Sequence, residues 1–241
     1  EDIRYHLEKA LYMAVTGRPG PVWLDIPLDV QGAVIETENL RAYDPAENPE
    51  QKPQEISQEI IEKILDKIEE SHRPVLSPGN GVRLAGAIGE FHELVELLGV
   101  PVVTGMSSVD ALESDHPYFA GRSGGTGTRA GNFALQNSDV LLSIGNRQGF
   151  TQTGFQYQDW ARESYTILND IDENELKKPS LHVSLPVVGD AGELIRGLLT
   201  EAKKRGADKG HPLFKGEDWR NQCLLWREKY PVVTQKHYET Q

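Results

Sequence analysis

The sequence holds one cysteine, Cys223, among 241 residues. An internal disulfide is therefore excluded, and so is a zinc set built on several thiolates. The seven histidines show no ligand spacing with Cys223 or with one another. Cys223 lies in a helix-like stretch, NQCLLWREKY, and reads as a packed thiol rather than a reactive one. A lone cysteine fits a reducing compartment, so the expected location is the cytoplasm. Basic residues are also scarce: 25 Lys and Arg stand against 37 Asp and Glu, a net charge of -12. That excludes a general nucleic-acid surface, which needs clustered cations, and the excess of acid favours solubility instead. No apolar run approaches the roughly 20 residues of a membrane span, and no signal peptide is visible, so no membrane partner is expected. Neither G-x-G-x-x-G nor the Gly-Lys-Ser/Thr ending of a phosphate-binding loop occurs. The chain opens within a helical pattern and without Met, and is expected to be an excised piece of a longer protein.

What is present is organised around Ser138–Arg147, SDVLLSIGNR. Val140–Ile144 is a short apolar run of the kind that forms a strand buried on both faces. Further strands are predicted at Val22–Ile26, Pro74–Ser77, Val100–Thr104, Tyr165–Ile171 and Leu181–Val188. Helices are predicted at 2–16, 55–70, 84–98, 132–136 and 191–204, the last capped by Asp190. Pro78–Gly81 reads as a turn and 115–131 as a glycine-rich loop. Strands alternating with helices imply an α/β fold, a doubly wound parallel sheet of about six strands. The boundaries read as a fragment over 1–35, a linker over 36–54, a full domain over 55–204, and a linker with an unfinished helix over 205–241.

In such a sheet, ligands sit beyond the carboxyl ends of the strands. Three ends should converge: Gly79–Gly81, Gly145–Arg147 and Asp170–Asp172. A nucleotide can lie across them, with backbone amides of the first turn on a phosphate, Arg147 neutralising it and Asp170 accepting a ribose hydroxyl. The bland alternative is turns and caps without a ligand. No Ser-His-Asp arrangement can be built.

Several stretches together resemble thiamine-diphosphate enzymes, the acetolactate synthase group above all. TGRPGPVWLDIPLDVQ (16–31) resembles the end of their pyrimidine-binding domain. Residues 55–204 resemble their middle domain through Gly124, Gly127, Thr128, Asn132, Ala134, Asp139, Leu141, Leu142, Gly145 and Arg147, then Ile167, Asp170, Asp172 and Glu175. WREKYPVV (226–233) resembles the linker to the diphosphate-binding domain. The resemblance implies a Rossmann-like middle domain that in acetolactate synthases carries FAD without redox turnover. The matching contacts are Gly79, Gly81, Gly127, Gly145, Arg147 and Asp170. Against FAD, the family's GxRFDDRVTG is GNRQGFTQTG here, and the Met-His before the loop's Gly-Thr is Gly125–Thr126. The activating Glu and the Gly-Asp-Gly motif that holds magnesium and diphosphate have no counterpart in this chain. The resemblance thus implies thiamine diphosphate, Mg2+ and a 2-keto acid substrate for an intact, homo-oligomeric carboligase or decarboxylase, with no catalytic residue in this stretch. A stand-alone nucleotide-binding regulatory module is the alternative. A sirtuin-like deacylase fails for want of a cysteine set.

Overall fold

The computed structural model describes residues 2–48 and 54–239. The chain divides into two compact units between residues 53 and 54.

In the first unit, the predicted helix forms as α1 (Ile3–Val15). Gly17 follows at φ +63°, the left-handed turn that ends a helix and that only glycine takes without strain. A short helix, α2 (Leu28–Gln31), comes next. The strand predicted at Val22–Ile26 is not formed. A strand exists through ladder bonds to a neighbour, and none of the described residues supplies one. Trp23, in the middle of this apolar run, is 89% exposed. The unit is fastened instead by aromatics. Tyr43 is buried, with its ring 5.5 Å from both Tyr5 and Tyr12, and its amide donates to Glu8 Oε2 at 2.8 Å. The stretch expected as a linker holds 3-10 turns at Thr37–Asn39 and Pro45–Glu47, and its residues 49–53 lie outside those described.

The second unit begins with α3 (Gln58–Glu70), capped by Ser57, whose hydroxyl accepts from Ile60 N. Its apolar stripe, Ile61, Ile64, Leu65 and Ile68, is buried. Then come β1 (Pro74–Pro78), α4 (Asn80–Leu84), α5 (Ile88–Leu98), β2 (Val102–Thr104), β3 (Phe119–Arg122), α6 (Arg129–Gln136), β4 (Val140–Ile144), α7 (Phe150–Thr153), β5 (Tyr165–Asp170), α8 (Glu173–Leu176), β6 (Leu185–Val188), α9 (Ala191–Lys204) and α10 (Glu217–Lys229). The six strands form one sheet in the order β3-β2-β1-β4-β5-β6, every pair parallel. This is the doubly wound α/β arrangement that the alternating pattern implied. β1 and β4 are buried along their whole length, as strands covered on both faces must be. One helical group is α3, α5 and α9, and another is α6 with α10.

Four details depart from expectation. The helix predicted over 84–98 is broken at Gly86, φ +65°, into α4 and α5. The glycine-rich stretch 115–131 contains a strand, β3, which escaped notice because it is short and includes Gly121. The run predicted over 181–188 pairs only from Leu185, and Pro186 is tolerated because β6 is an edge strand. Finally, 205–214 is not a loose linker. Leu213 N and Phe214 N donate to Leu97 O and Leu98 O at 2.8 and 3.0 Å, and both side chains are buried.

α10 is fastened in the same way. Trp219 Nε1 donates to Pro74 O at 3.0 Å, and Arg227 Nη1 reaches Ser114 O, His116 O and Phe119 O at 3.3, 3.1 and 2.8 Å. Cys223 is buried there, and burial pushes its thiol up to about 12. It is therefore a packed apolar group, not a nucleophile.

Candidate functional site

β1 and β4 lie at the centre of the sheet, where the strand order reverses, and their carboxyl ends form the crevice where ligands of this architecture bind. Gly79, Gly145 and Asp170 do come to this one rim, after β1, after β4 and at the end of β5. What they do there differs from the sequence expectation. Gly79 N donates to Ile144 O at 2.9 Å, and Gly81 N to Gly145 O at 3.0 Å. Two of the three first-turn amides proposed for a phosphate, those of Gly79 and Gly81, are thus engaged within the protein. A methyl on Gly79 would overlap Gly145 O and the Asn146 backbone, and one on Gly81 would lie 2.7 Å from Gly145 Cα. Gly145 itself turns at φ +55°. These glycines let two turns touch backbone to backbone. The helix that follows, α4, has only five residues and offers little dipole to an anion.

Gly145 N also donates to Asn169, at 3.1 Å to the carbonyl and 3.2 Å to Oδ1. Asn169 Nδ2 in turn donates to Val187 O at 3.1 Å and Gly189 O at 2.9 Å, which ties the ends of β4, β5 and β6 together. Asp170 is buried, and its carboxylate accepts from Asp172 N at 3.0 Å. Arg147 is solvent-exposed, 3.6 Å from Glu175 Oε1. Lys178 bonds the same carboxylate at 3.1 Å and the Arg147 carbonyl. One glutamate is therefore shared by two cations, and one positive charge is left over at the exposed Arg147.

Gly127 belongs to the loop after β3, away from the β1/β4 crevice. A methyl there would overlap Arg122 O. Thr128 caps α6 by accepting from Gly131 N at 3.0 Å, and Asn132 holds Gly124 through two bonds, 2.9 Å from its amide and 3.1 Å to its carbonyl. Asp139 sits at the amino end of β4 and accepts from His72 N and Arg73 N, both at 2.8 Å. The spacing of Gly124, Gly127, Thr128 and Asn132 is explained by how this stretch folds on itself.

Sequence reasoning missed the polar seam beneath the rim. Ser77 and Ser143 face each other in register on β1 and β4, both fully buried. Asn146 Nδ2 donates to Ser77 Oγ at 3.2 Å, and Gln148 Nε2 to Ser143 Oγ at 3.0 Å. Thr104 Oγ1, Ser123 Oγ, Gln148 Oε1 and Gln152 Nε2 are buried without a partner. A serine inside an otherwise apolar strand run was the available signal.

Comparison with known proteins gives a consistent picture. The family model "Thiamine pyrophosphate enzyme, central domain" matches residues 61–198. The chain is 37% identical to the probable acetolactate synthase large subunit of Methanocaldococcus jannaschii, over 83% of this chain and 34% of that protein. It is 36% identical to the acetolactate synthase large subunit of Corynebacterium glutamicum, over 86% and 32%. It is 28% identical to the large subunit of isozyme 3 from Escherichia coli, over 99% and 41%. The chain thus spans roughly a third to two-fifths of the length of these relatives.

The family description implies thiamine pyrophosphate, and the described residues do not fit the metal that holds its diphosphate. Magnesium with a diphosphate needs a convergent set of oxygen donors. Among the described residues no group of three or more His, Cys, Asp or Glu is placed to hold a metal ion. Among the described residues no helix is long and apolar enough to cross a membrane.

Proposed function

Since this chain belongs to the thiamine pyrophosphate enzymes, of which it carries the central domain, we propose that it is the middle part of a 2-keto acid carboligase or decarboxylase of the acetolactate synthase kind. The observation that carries the reading is the family match over 61–198, flanked on both sides by sequence that aligns with acetolactate synthase large subunits. The intact protein uses thiamine diphosphate and Mg2+, works as a homo-oligomer in the cytoplasm, and acts on a small 2-keto acid. The present residues contribute architecture. They form a parallel sheet, and they supply no acid, base or nucleophile to the reaction.

The test is the full-length reading frame. Expressed with thiamine diphosphate and Mg2+, it should consume pyruvate or a related 2-keto acid and lose that activity when either cofactor is withheld. A folded full-length protein that consumes no 2-keto acid would overturn the reading.

A further inference from the structure

The segment after β4 does more than reverse the chain. Gln148 has φ +49°, a left-handed backbone that residues with a side chain rarely adopt. That turn sends its side chain inward, where it is buried against Ser143 and Ser77. α7 follows, bounded by Gly149 and Gly154. It reaches across to the turns after β2 and β3: Thr151 O accepts from Gly125 N at 2.9 Å, and the Gln152 amide lies against Gly105. A methyl on Gly105 would overlap the Gln152 amide, and one on Gly124 would lie 2.5 Å from Thr151 O and 3.0 Å from Gln152 Cα. Glycine stands at the places where this strap lands, so its seat is written into the sequence on both sides. The unpartnered groups beneath it are two hydroxyls and two amides, all neutral. They suit a bound water and offer no charge to a pyrophosphate. Arg147 and Lys178 share Glu175, and Arg122 sits on the edge strand β3, two strands from β1.

We infer that this domain fills its own ligand rim: Gln148 and the strap 149–154 occupy the space beside the turns after β1, β2 and β3, and the domain retains neither FAD nor ADP. The inference rests on the family reading only for the choice of those two probes.

Two measurements on the whole chain test it. In the first, the chain is incubated with FAD or with ADP; FAD is followed by co-elution and absorbance, ADP by calorimetry. No FAD should co-elute and no heat should appear at concentrations up to about 1 mM. Stoichiometric flavin on the eluted protein, or a dissociation constant tighter than about 100 μM for either, would overturn the inference. In the second, hydrogen exchange at the Gly125 amide reports whether the strap is seated. That amide should be protected, and Gly124→Ala, whose methyl meets the Thr151 carbonyl and Gln152 Cα, should speed its exchange by roughly tenfold while central-strand amides keep their protection. A Gly125 amide that exchanges freely, or that Gly124→Ala does not affect, would also overturn it. Nucleotide retention would leave the keto-acid reading standing, and a full-length protein without 2-keto acid turnover would leave the strap standing, so the two failures are distinguishable.

Discussion

The two units of this chain use the same raw material with opposite results. Residues 2–48 carry an amphipathic helix and an apolar run, yet only Tyr43 among them is buried. Leu11 is 68% exposed and Trp23 89%. In residues 54–239, equally short apolar runs become strands that are completely buried. Periodicity fixes which face of an element is apolar. It creates a core only when a second element is present to cover that face, and ladder hydrogen bonds need a neighbour in register. Val22–Ile26 and Val140–Ile144 look alike as strings. β1 and β5 flank the second on both sides, and no described residue pairs with the first.

The sharpest way to break this comparison is to remove a central side chain. Leu141 on β4 is fully buried, and Leu141→Ala should cost about 2–5 kcal/mol of unfolding free energy in urea, by lost transfer energy and the cavity left behind. A smaller loss, about 1–3 kcal/mol, is expected for Gly79→Ala, because the methyl meets the backbone of Gly145 and Asn146 rather than a movable side chain. If Gly79→Ala unfolds no more easily than the parent, the rim is looser than described and a ligand can enter it.

The third effect depends on pH. Glu201 on α9 is buried, and Lys204 holds its carboxyl below the ordinary value of 4.5; burial works against this, while Arg205 and Gln58 add to it. A folded-state value below the unfolded one means the charged carboxylate stabilises the fold above that ordinary value and loses this contribution as pH falls through the folded value. The stability difference between the parent and Glu201→Gln should therefore shrink between about pH 5 and about pH 3. A difference that does not change with pH would remove the charge from the account. The smallest effect belongs to the other unit: Leu11→Ala should change stability by less than about 0.5 kcal/mol, since the side chain is already exposed. A loss as large as that of Leu141→Ala would mean α1 is covered in solution, and the comparison would fail.

Much of the sheet was legible from sequence because a parallel strand buried on both faces is a continuous apolar run. Pro74–Ser77, Val140–Ile144 and Tyr165–Ile171 were recognised within a residue of their ends. β3 was not, because four residues that include Gly121 carry no pattern beside a loop rich in glycine. The convergence of Gly79, Gly145 and Asp170 followed from topology alone. Their roles did not. A glycine that admits a ligand and a glycine that admits another backbone are identical in one dimension, and only the packing of Gly79 on Gly145 separates them. The seam of Ser77, Ser143, Asn146 and Gln148 joins residues from two strands and a turn, so no local spacing announces it.

We propose that this chain supplies a scaffold and not the chemistry. The most direct test is an assay of the 241-residue chain itself with pyruvate, thiamine diphosphate and Mg2+. The account predicts no acetolactate and no carbon dioxide above a protein-free control, from a chain whose circular dichroism shows the folded α/β domain. Turnover that requires thiamine diphosphate would contradict it.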